Sequence, residues 1–470
     1  MTETAMLKIF HTYYPIRNFL FFLGEGLLIF GALWVGFTLR YHGFYTTPDT
    51  LRHSIWIRVL VVTFVVQLSL YYHDLYTVSK PLSLFDLSLK LVQATGAACI
   101  VLAGIYFVYP PVILEQGVFF LALFLVLLLL VSWRFGYQYV CLKGIGSEKV
   151  FLIGSGRLAG LIGSEISENL DSGYRVEAIL DRDATENVAD KLGVEFYRDY
   201  ERMCELALER KVSKIIVALD EKRGKFPAEA LLRCRMAGIP VFDGVTFYEA
   251  LSGKILVEGA LPSWLIYSDG FHRHRWTQLA KRTLDIIFAT AGLVLSAPIM
   301  AVVALAVKWD SPGPVFYTQE RVGQKEKSFH IVKFRTMVQN AEQLSGPVWA
   351  GERDPRITRV GRILRKLRLD ELPQFWNVLR GDMSFVGPRP ERPVFVQRLK
   401  KRLPYYGERH TVKPGITGWA QINYPYGASE EDALKKLEYD LFYVKNFSIL
   451  MDIYIVLKTV QIVLFGKGAR

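Results

Sequence analysis

Two adjacent carboxylates, Asp370 and Glu371, follow a stretch dense in arginine: Arg356, Arg359, Arg362, Arg365 and Arg368. A glycine- and proline-rich turn, Val386-Gly387-Pro388-Arg389-Pro390, comes soon after. Carboxylates beside arginines suit phosphoryl chemistry. One carboxylate can attack phosphorus, its neighbour can hold a divalent cation, and the guanidinium groups neutralise phosphate oxygens. Arginine's planar fork gives bidentate phosphate contact, whereas lysine acts as a point charge. Lys333, Arg335, Arg368 and Arg389 are therefore the candidates to bind phosphate or nucleotide, and the arginines from Arg356 to Arg365 read as a cationic face towards a membrane. The plain alternative is that Asp370 and Glu371 are an exposed pair flanked by helix. Their neighbours Leu369, Leu372 and Pro373 argue instead for a fixed position beside packed residues. Asp354 and Asp382 are either extra metal ligands or partners for arginine and helix caps, and pairing is the plainer account.

Such residues need elements to hold them, and the composition says where those elements sit. At 470 residues the chain is expected to form two or three domains. Half of the residues are apolar (51%) and the mean hydropathy is +0.21, which points to membrane segments. A net charge of +12 fits anionic lipid or phosphorylated substrates. The apolar content and the absence of a nucleic-acid motif argue against nucleic acid as the partner. The four cysteines (Cys99, Cys141, Cys204, Cys234) are scattered without metal-site spacing and read as reduced packing residues.

Four apolar runs are long enough to span a bilayer: about Phe19–Leu39, Trp56–Tyr72, Leu89–Tyr109 and Val118–Phe135. Glu25 and Arg58 make the first two less clean. The first run has no small-residue cleavage site and is not read as a signal peptide. The loop from Pro110 to Gly117 lacks Lys and Arg, and the region after the fourth run is rich in both. The positive-inside rule then puts everything after Arg134 in the cytoplasm, with Arg40 and Arg52 arguing weakly the other way.

From about Lys149 the pattern changes to βαβ rhythm. Strand candidates are Val150–Ile153, Val176–Leu180, Lys214–Leu219 and Ile239–Phe242, which predicts a parallel sheet with helices on both faces. The turn Gly154-Ser155-Gly156-Arg157-Leu158-Ala159, with Asp181 further on, matches a dinucleotide-binding fingerprint. The same turn can also serve only to pack helix against strand, so a nucleotide here stays open beside that simpler role. His272-Arg273-His274-Arg275 is a basic patch suited to phospholipid headgroups more than to metal.

A fifth apolar run opens at Lys281-Arg282-Thr283-Leu284-Asp285 and continues to about Val307. Ser296-Ala297-Pro298 lies near its middle. Proline removes a helical hydrogen bond, and a serine hydroxyl can bond a freed carbonyl. The run either spans the membrane or breaks at Ser296 and Pro298 and leaves by the face it entered. A catalytic unit that uses nucleotide-activated donors must stay in the cytoplasm, which favours the re-entrant form. The tail from Phe447 to Phe465, interrupted by Asp452 and Lys458, reads as an interfacial helix packed against this hairpin.

Five motifs in order carry a resemblance that begins near Lys281. They are Pro312-Gly313-Pro314-Val315-Phe316 with Gln319 and Arg321-Val322-Gly323; Lys333-Phe334-Arg335-Thr336-Met337; Asp354-Pro355-Arg356-Ile357-Thr358; the Leu369–Pro390 core; and Lys413-Pro414-Gly415-Ile416-Thr417-Gly418-Trp419-Ala420-Gln421. This set resembles the bacterial sugar transferases, the monotopic phosphoglycosyl transferases. The resemblance implies transfer of a sugar-1-phosphate from a UDP-sugar to undecaprenyl phosphate, releasing UMP, with Asp370 as nucleophile and Glu371 as ligand of Mg²⁺. Acceptor and donor are both anions, so a protein nucleophile that splits the transfer into two steps avoids bringing them together. Pro388 and Pro390 would shape the uridine pocket. Gln421 and Trp419 would contact the base, although core packing suits the tryptophan equally.

The resemblance extends to the large subclass of exopolysaccharide-initiating enzymes. Its implied organisation is a membrane α-helical bundle (1–145), an α/β Rossmann-like domain (146–255), a linker (256–280) and a mixed α/β monotopic catalytic domain (281–470) with a re-entrant membrane helix (281–308). The expected setting is the bacterial inner membrane, with the soluble parts cytoplasmic and the chain a homodimer. UDP-glucose and UDP-galactose are the expected donors, and an N-acetylated sugar stays open. Two other classes compete. An oxidoreductase or dehydratase acting in the middle domain would need a Tyr-x-x-x-Lys pair, and none occurs between Lys149 and Lys254. A non-enzymatic membrane scaffold would keep its function when Asp370 is replaced.

Overall fold

The computed structural model describes residues 6–9, 12–40, 55–76, 82–114, 116–182, 187–220, 226–258, 270–271, 274–339, 341, 354–425, 427 and 429–465. Arg52, His272 and Arg273, read above as topogenic or headgroup-contacting residues, lie outside the described residues. The chain divides into two compact units, Met1–Phe247 and Tyr248–Arg470.

The first unit opens with a short antiparallel hairpin, β1 (Met6–Ile9) and β2 (Thr12–Pro15). Four long helices follow: α1 (Ile16–Arg40), α2 (Ile55–Tyr72), α3 (Leu84–Val108) and α4 (Gln116–Leu142). Each contains a stretch long and apolar enough to cross a membrane, which marks a membrane-associated protein. Their shared core includes Ile29, Phe37, Val59, Leu70, Leu91, Val118 and Leu130. Glu25, which interrupts the first apolar run, is fully buried and paired with Arg134 of α4 at 2.6 Å. A buried acid survives in such a place because a guanidinium satisfies it. Arg58 reaches the carbonyl of Ile113 at 2.6 Å.

The same unit continues into a five-stranded parallel sheet: β3 (Glu148–Ile153), α5 (Arg157–Glu168), β4 (Tyr174–Leu180), α6 (Asn187–Leu192), β5 (Glu195–Tyr197), α7 (Met203–Glu209), β6 (Lys214–Val217), α8 (Ala228–Met236) and β7 (Val241–Asp243). The strand order is β5-β4-β3-β6-β7, reversing direction at β3. Four of these strands follow the apolar runs seen in the sequence. β5 is a three-residue edge strand whose residues are exposed or half-buried, so it lacks an apolar signature. Helix α9 (Gly244–Ser252) closes this stretch.

In the second unit, α10 (Arg275–Asp310) is one continuous 36-residue helix with Pro298 inside it, about 54 Å at 1.5 Å per residue. The Ser296 hydroxyl bonds the carbonyl of Gly292 at 2.6 Å. It therefore does not take the carbonyl of Val294 that proline leaves free, and helical structure continues through Ser296 and Pro298, where the sequence suggested a break. Both ends of α10 pack on the same body. Near its start Ala289 joins Phe329, Ile331, Val378 and Met383. Near its end Val303 and Val307 join Phe334 and Leu364. Between them Val294, Leu295 and Val302 are 67%, 78% and 66% exposed.

The body consists of an antiparallel hairpin, β8 (Phe316–Val322) and β9 (Ser328–Phe334), then α11 (Arg359–Lys366), a 3₁₀ turn at Leu369–Glu371, α12 (Gln374–Arg380), β10 (Ser384–Val386), α13 (Pro393–Arg402), β11 (Gly415–Thr417), α14 (Trp419–Asn423), α15 (Glu430–Lys445) and α16 (Ile449–Phe465). β10 and β11 pair in parallel. Glu249 and Gly253, assigned to the middle domain from sequence, bond Lys445 and Trp419 of this unit. α15 starts on a capping box in which Ser429 and Asp432 bond each other's backbone N–H.

Candidate active site

Asp370 and Glu371 sit on the 3₁₀ turn between α11 and α12, entered through Arg368 in the left-handed region (φ 55°). The tight turn gives the two acids different surroundings. Asp370 is 8% exposed. Glu371 accepts from Lys333 Nζ at 2.9 Å and from Arg389 Nη2 at 2.6 Å, both on Oε1. Burial pushes the Asp370 carboxyl up to about 6, with the Glu371 charge adding to the rise and Lys333, Arg365 and Arg389 opposing it. Burial also works against Glu371, but Arg389 and Lys333 hold its carboxyl well below the ordinary range. Burial draws Lys333 and Arg368 downward against the attraction of both acids. Adjacent carboxyls pushed apart in this way can take different chemical roles.

Three ties bring distant segments to this turn. Asn377, 1% exposed, donates Nδ2–H to the carbonyl of His330 at 2.8 Å and accepts from the Val332 amide at 3.0 Å. It replaces an edge-strand partner for β9 and so sets Lys333 opposite the acids. Arg409, which is buried, donates to the carbonyl of Arg389 at 3.0 Å and to Asp440 at 2.6 Å, fixing the turn that carries Arg389. The β10–β11 pair brings Gly387, Gly415 and Gly418 into backbone contact. A Cβ on Gly415 would meet the Gly387 nitrogen at 2.1 Å, and one on Gly418 would meet the Gly387 oxygen at 2.2 Å. The Pro388 carbonyl accepts from the Gly415 amide at 3.0 Å.

The structure thus gathers Asp370, Glu371, Lys333 and Arg389, with Arg368 close enough to feel both acids. Other expectations from sequence change. Arg335 is not a phosphate contact of this turn: it is 5% exposed and spends both terminal nitrogens on the carbonyls of Ser311 and Pro312, closing the end of α10. Gln421 folds back onto the carbonyl of Ile416 at 3.1 Å. Trp419 packs on Phe442 and donates to Gly253, as a core residue does. Arg365 bonds Thr336 and Arg356 bonds Asp354, so neither is spare for a membrane face. The Arg356 hydrogen bond lowers Asp354 to about 2. Asp382 lies 3.4 Å from Arg380. Asn377, Arg409 and Asp440 were missed as site residues. Asn377 stood inside the motif without a role, and nothing local marks an Arg–Asp pair 31 residues apart.

The glycine turn of the middle domain is filled from within the chain. Asp220 Oδ2 accepts from the Arg157 amide at 2.8 Å and Oδ1 from the Leu158 amide at 3.2 Å, so a carboxylate of the chain already caps α5. A Cβ on Gly156 would stand 2.0 Å from Asp220 Oδ2, so this glycine makes room for an aspartate. Gly154 (φ 110°) packs against the backbone of Ala218. Asp181 accepts from the Ser155 amide and hydroxyl at 2.8 and 2.9 Å, the bonds of a turn, where a ribose contact was expected.

Residues 276–466 match the bacterial sugar transferase family and residues 72–226 match a CoA-binding domain family. The UDP-N-acetylgalactosamine-undecaprenyl-phosphate N-acetylgalactosaminephosphotransferase of Aeromonas hydrophila is 44% identical over 247 residues, 51% of this chain and 56% of that protein. The UDP-galactose-lipid carrier transferase of Erwinia amylovora is 30% identical over 347 residues, 70% of each chain. The UDP-glucose:undecaprenyl-phosphate glucose-1-phosphate transferase of Caulobacter vibrioides is 42% identical over 194 residues, 41% of this chain and 72% of that protein. Several other relatives are matched over less than half of their own length, between 37% and 44%. With a buried Asp-Glu pair flanked by Lys333 and Arg389, and with these relatives, the chain belongs to the bacterial sugar transferase family.

Proposed function

We propose that this protein transfers a sugar-1-phosphate from a UDP-sugar to undecaprenyl phosphate, releasing UMP, by way of an ester on Asp370. The observation that carries the reading is the asymmetry of the two acids. Glu371 is locked as an anion by two cations, whereas Asp370 is buried, unpaired by any cation at hydrogen-bond distance among the described residues, and adjacent. In the first step an Asp370 oxygen attacks the sugar-bearing phosphorus; the bond from that phosphorus to the UMP oxygen breaks and UMP leaves. In the second, an oxygen of the lipid phosphate attacks the same phosphorus and the carboxylate departs. Lys333 and Arg389 balance the charge that gathers on the phosphate oxygens.

The donor set fits Mg²⁺. Both cations bond Oε1 of Glu371, which leaves Oε2 as an oxygen ligand, and Asp370 lies next to it. Mg²⁺ is commonly held by one or two carboxylates together with substrate phosphates. Bound there, Mg²⁺ would supply charge neutralisation of the donor diphosphate.

The re-entrant placement of α10 has its own support. Lys281 bonds Asp452 and the Val386 carbonyl, and Asp285 accepts from Ser384 and Phe385. At the far end Asp310 accepts from the Val360 amide at 3.0 Å. A helix anchored at both ends to one soluble body, and bare between, is read as dipping into a bilayer from one face, with the bend this needs placed at Pro298, where a helical hydrogen bond is lost. The cationic residues after Arg134 favour the cytoplasmic face of the inner membrane. The relatives act on glucose, galactose and N-acetylgalactosamine donors by name, so the sugar is settled by a panel of UDP-sugars with undecaprenyl phosphate and Mg²⁺. The decisive experiment is mass analysis of purified protein incubated with donor alone. A sugar-phosphate increment on the Asp370 peptide, absent from Asp370→Asn along with UMP release, is expected. Turnover by Asp370→Asn would refute the mechanism.

A further inference from the structure

Beside the Asp-Glu turn, Arg321, Ile331, Lys333, Gln374, Arg389 and Pro390 line a small open pocket. The three cationic side chains are held in place. Arg321 donates to the Pro390 carbonyl at 3.1 Å and to Gln319 at 2.7 Å, and lies 3.6 Å from Glu391. Lys333 and Arg389 bond Glu371. Gln374 is the neutral member of this lining. It is 2% exposed, and its Nε2 is buried with no hydrogen-bond partner among the described residues. Buried donors are almost always paired, and one left open in a cationic pocket points to a partner that arrives with a ligand. The neighbouring Asn377 on α12 shows the contrast, since both ends of its amide are engaged.

We propose that Gln374 is a substrate-binding residue whose amide N–H donates to a non-bridging phosphate oxygen in this pocket, with Arg321 forming the pocket's outer cationic wall. The assignment rests on the transferase reading. A neutral donor suits this position. A cation at position 374 would compete with Lys333 and Arg389 for Glu371, whereas an amide adds a contact to phosphate without disturbing that pair. The phosphate can belong to the nucleotide-sugar donor or to the lipid acceptor, because both present the same oxygens.

The test uses full-length protein in nanodiscs on an Asp370→Asn background, so that binding is read without turnover. UDP-glucose and a short-chain polyprenyl phosphate are titrated separately into the parent, Gln374→Leu and Gln374→Glu. Losing one hydrogen bond to an anion weakens binding about tenfold or more, and the glutamate, of similar size but negative, weakens it further. A drop for UDP-glucose alone assigns the pocket to the donor, and a drop for the polyprenyl phosphate alone assigns it to the acceptor. Gln374→Leu is expected to melt no lower than the parent, since it removes an unpaired buried donor. Unchanged binding of both ligands by both variants would overturn the proposal, as would a fall in melting temperature with affinity intact. Failure of the transferase reading shows elsewhere: wild-type protein would release no UMP from any donor.

Discussion

At the scale of single residues, Asp370, the nucleophile of the proposed mechanism, meets two opposed demands. A nucleophile must be ionised, yet burial favours its neutral form. With its carboxyl raised to about 6, UMP release should fall as the pH drops below about 6, because the protonated acid cannot attack. The stability consequence has the opposite direction. A carboxyl raised from 3.8 to about 6 contributes stability that is complete below 3.8 and lost as pH rises through about 6. Asp370→Asn, which carries no charge, should therefore be more stable than wild type at pH 8, by roughly 1–3 kcal/mol, and show little difference near pH 4. Thermal unfolding at the two values checks this, and equal gains at both would mean that burial is not the cause. Glu371 behaves differently because its cations compensate for the same burial. The motif string displayed both acids, but it did not reveal which one would be paired, since Lys333 and Arg389 reach Glu371 only through the β9–α12 and β10–β11 contacts.

At the scale of elements, the parallel sheet and the apolar helices were legible because hydrophobic periodicity is local. What that periodicity cannot show is where a polar side chain ends up. The Gly154–Ala159 turn has the spacing of a phosphate loop, and the carboxylate that fills it comes from Asp220, after β6. Gly156 and Asp220 should therefore be energetically coupled. Asp220→Ala removes the cap of α5 and costs about 1 kcal/mol. Gly156→Ala on its own forces a methyl against the carboxylate, and the double variant should be more stable than the sum of the single losses predicts. Urea unfolding of the four proteins closes the cycle, and strict additivity would refute the contact. Arg335 teaches the same lesson. Its place in the Lys333–Met337 motif suggested phosphate, whereas its neighbours Ser311 and Pro312 show that it ends a helix.

At the scale of the whole molecule, topology is the open property that the second unit speaks to most directly. Trp276 and Trp309 stand near the two ends of α10, 80% and 85% exposed, where tryptophans favour the membrane–water boundary. Single cysteines at these positions, Trp276→Cys and Trp309→Cys in a background without other reactive thiols, should both react with an impermeant maleimide applied from the cytoplasmic side of oriented vesicles. Labelling from opposite sides would mean that the helix crosses. The tail helix α16 belongs to the same arrangement. Asp452 bonds Lys281 at 2.6 Å and Tyr443 at 2.7 Å, and the Thr459 and Thr417 hydroxyls meet at 2.7 Å. The sequence suggested an interfacial helix from its interrupted apolar run; the polar interruption proves to be its attachment point.

The contact of Gly387 with Gly415 and Gly418 has a practical corollary for anyone grafting loops between members of the family. Two loops whose main chains touch cannot be exchanged independently. A chimera that imports the Pro388–Pro390 stretch from another family member without its matching Lys413–Gln421 stretch would inherit a misfit at the backbone. Engineering here has to move both stretches as one cassette.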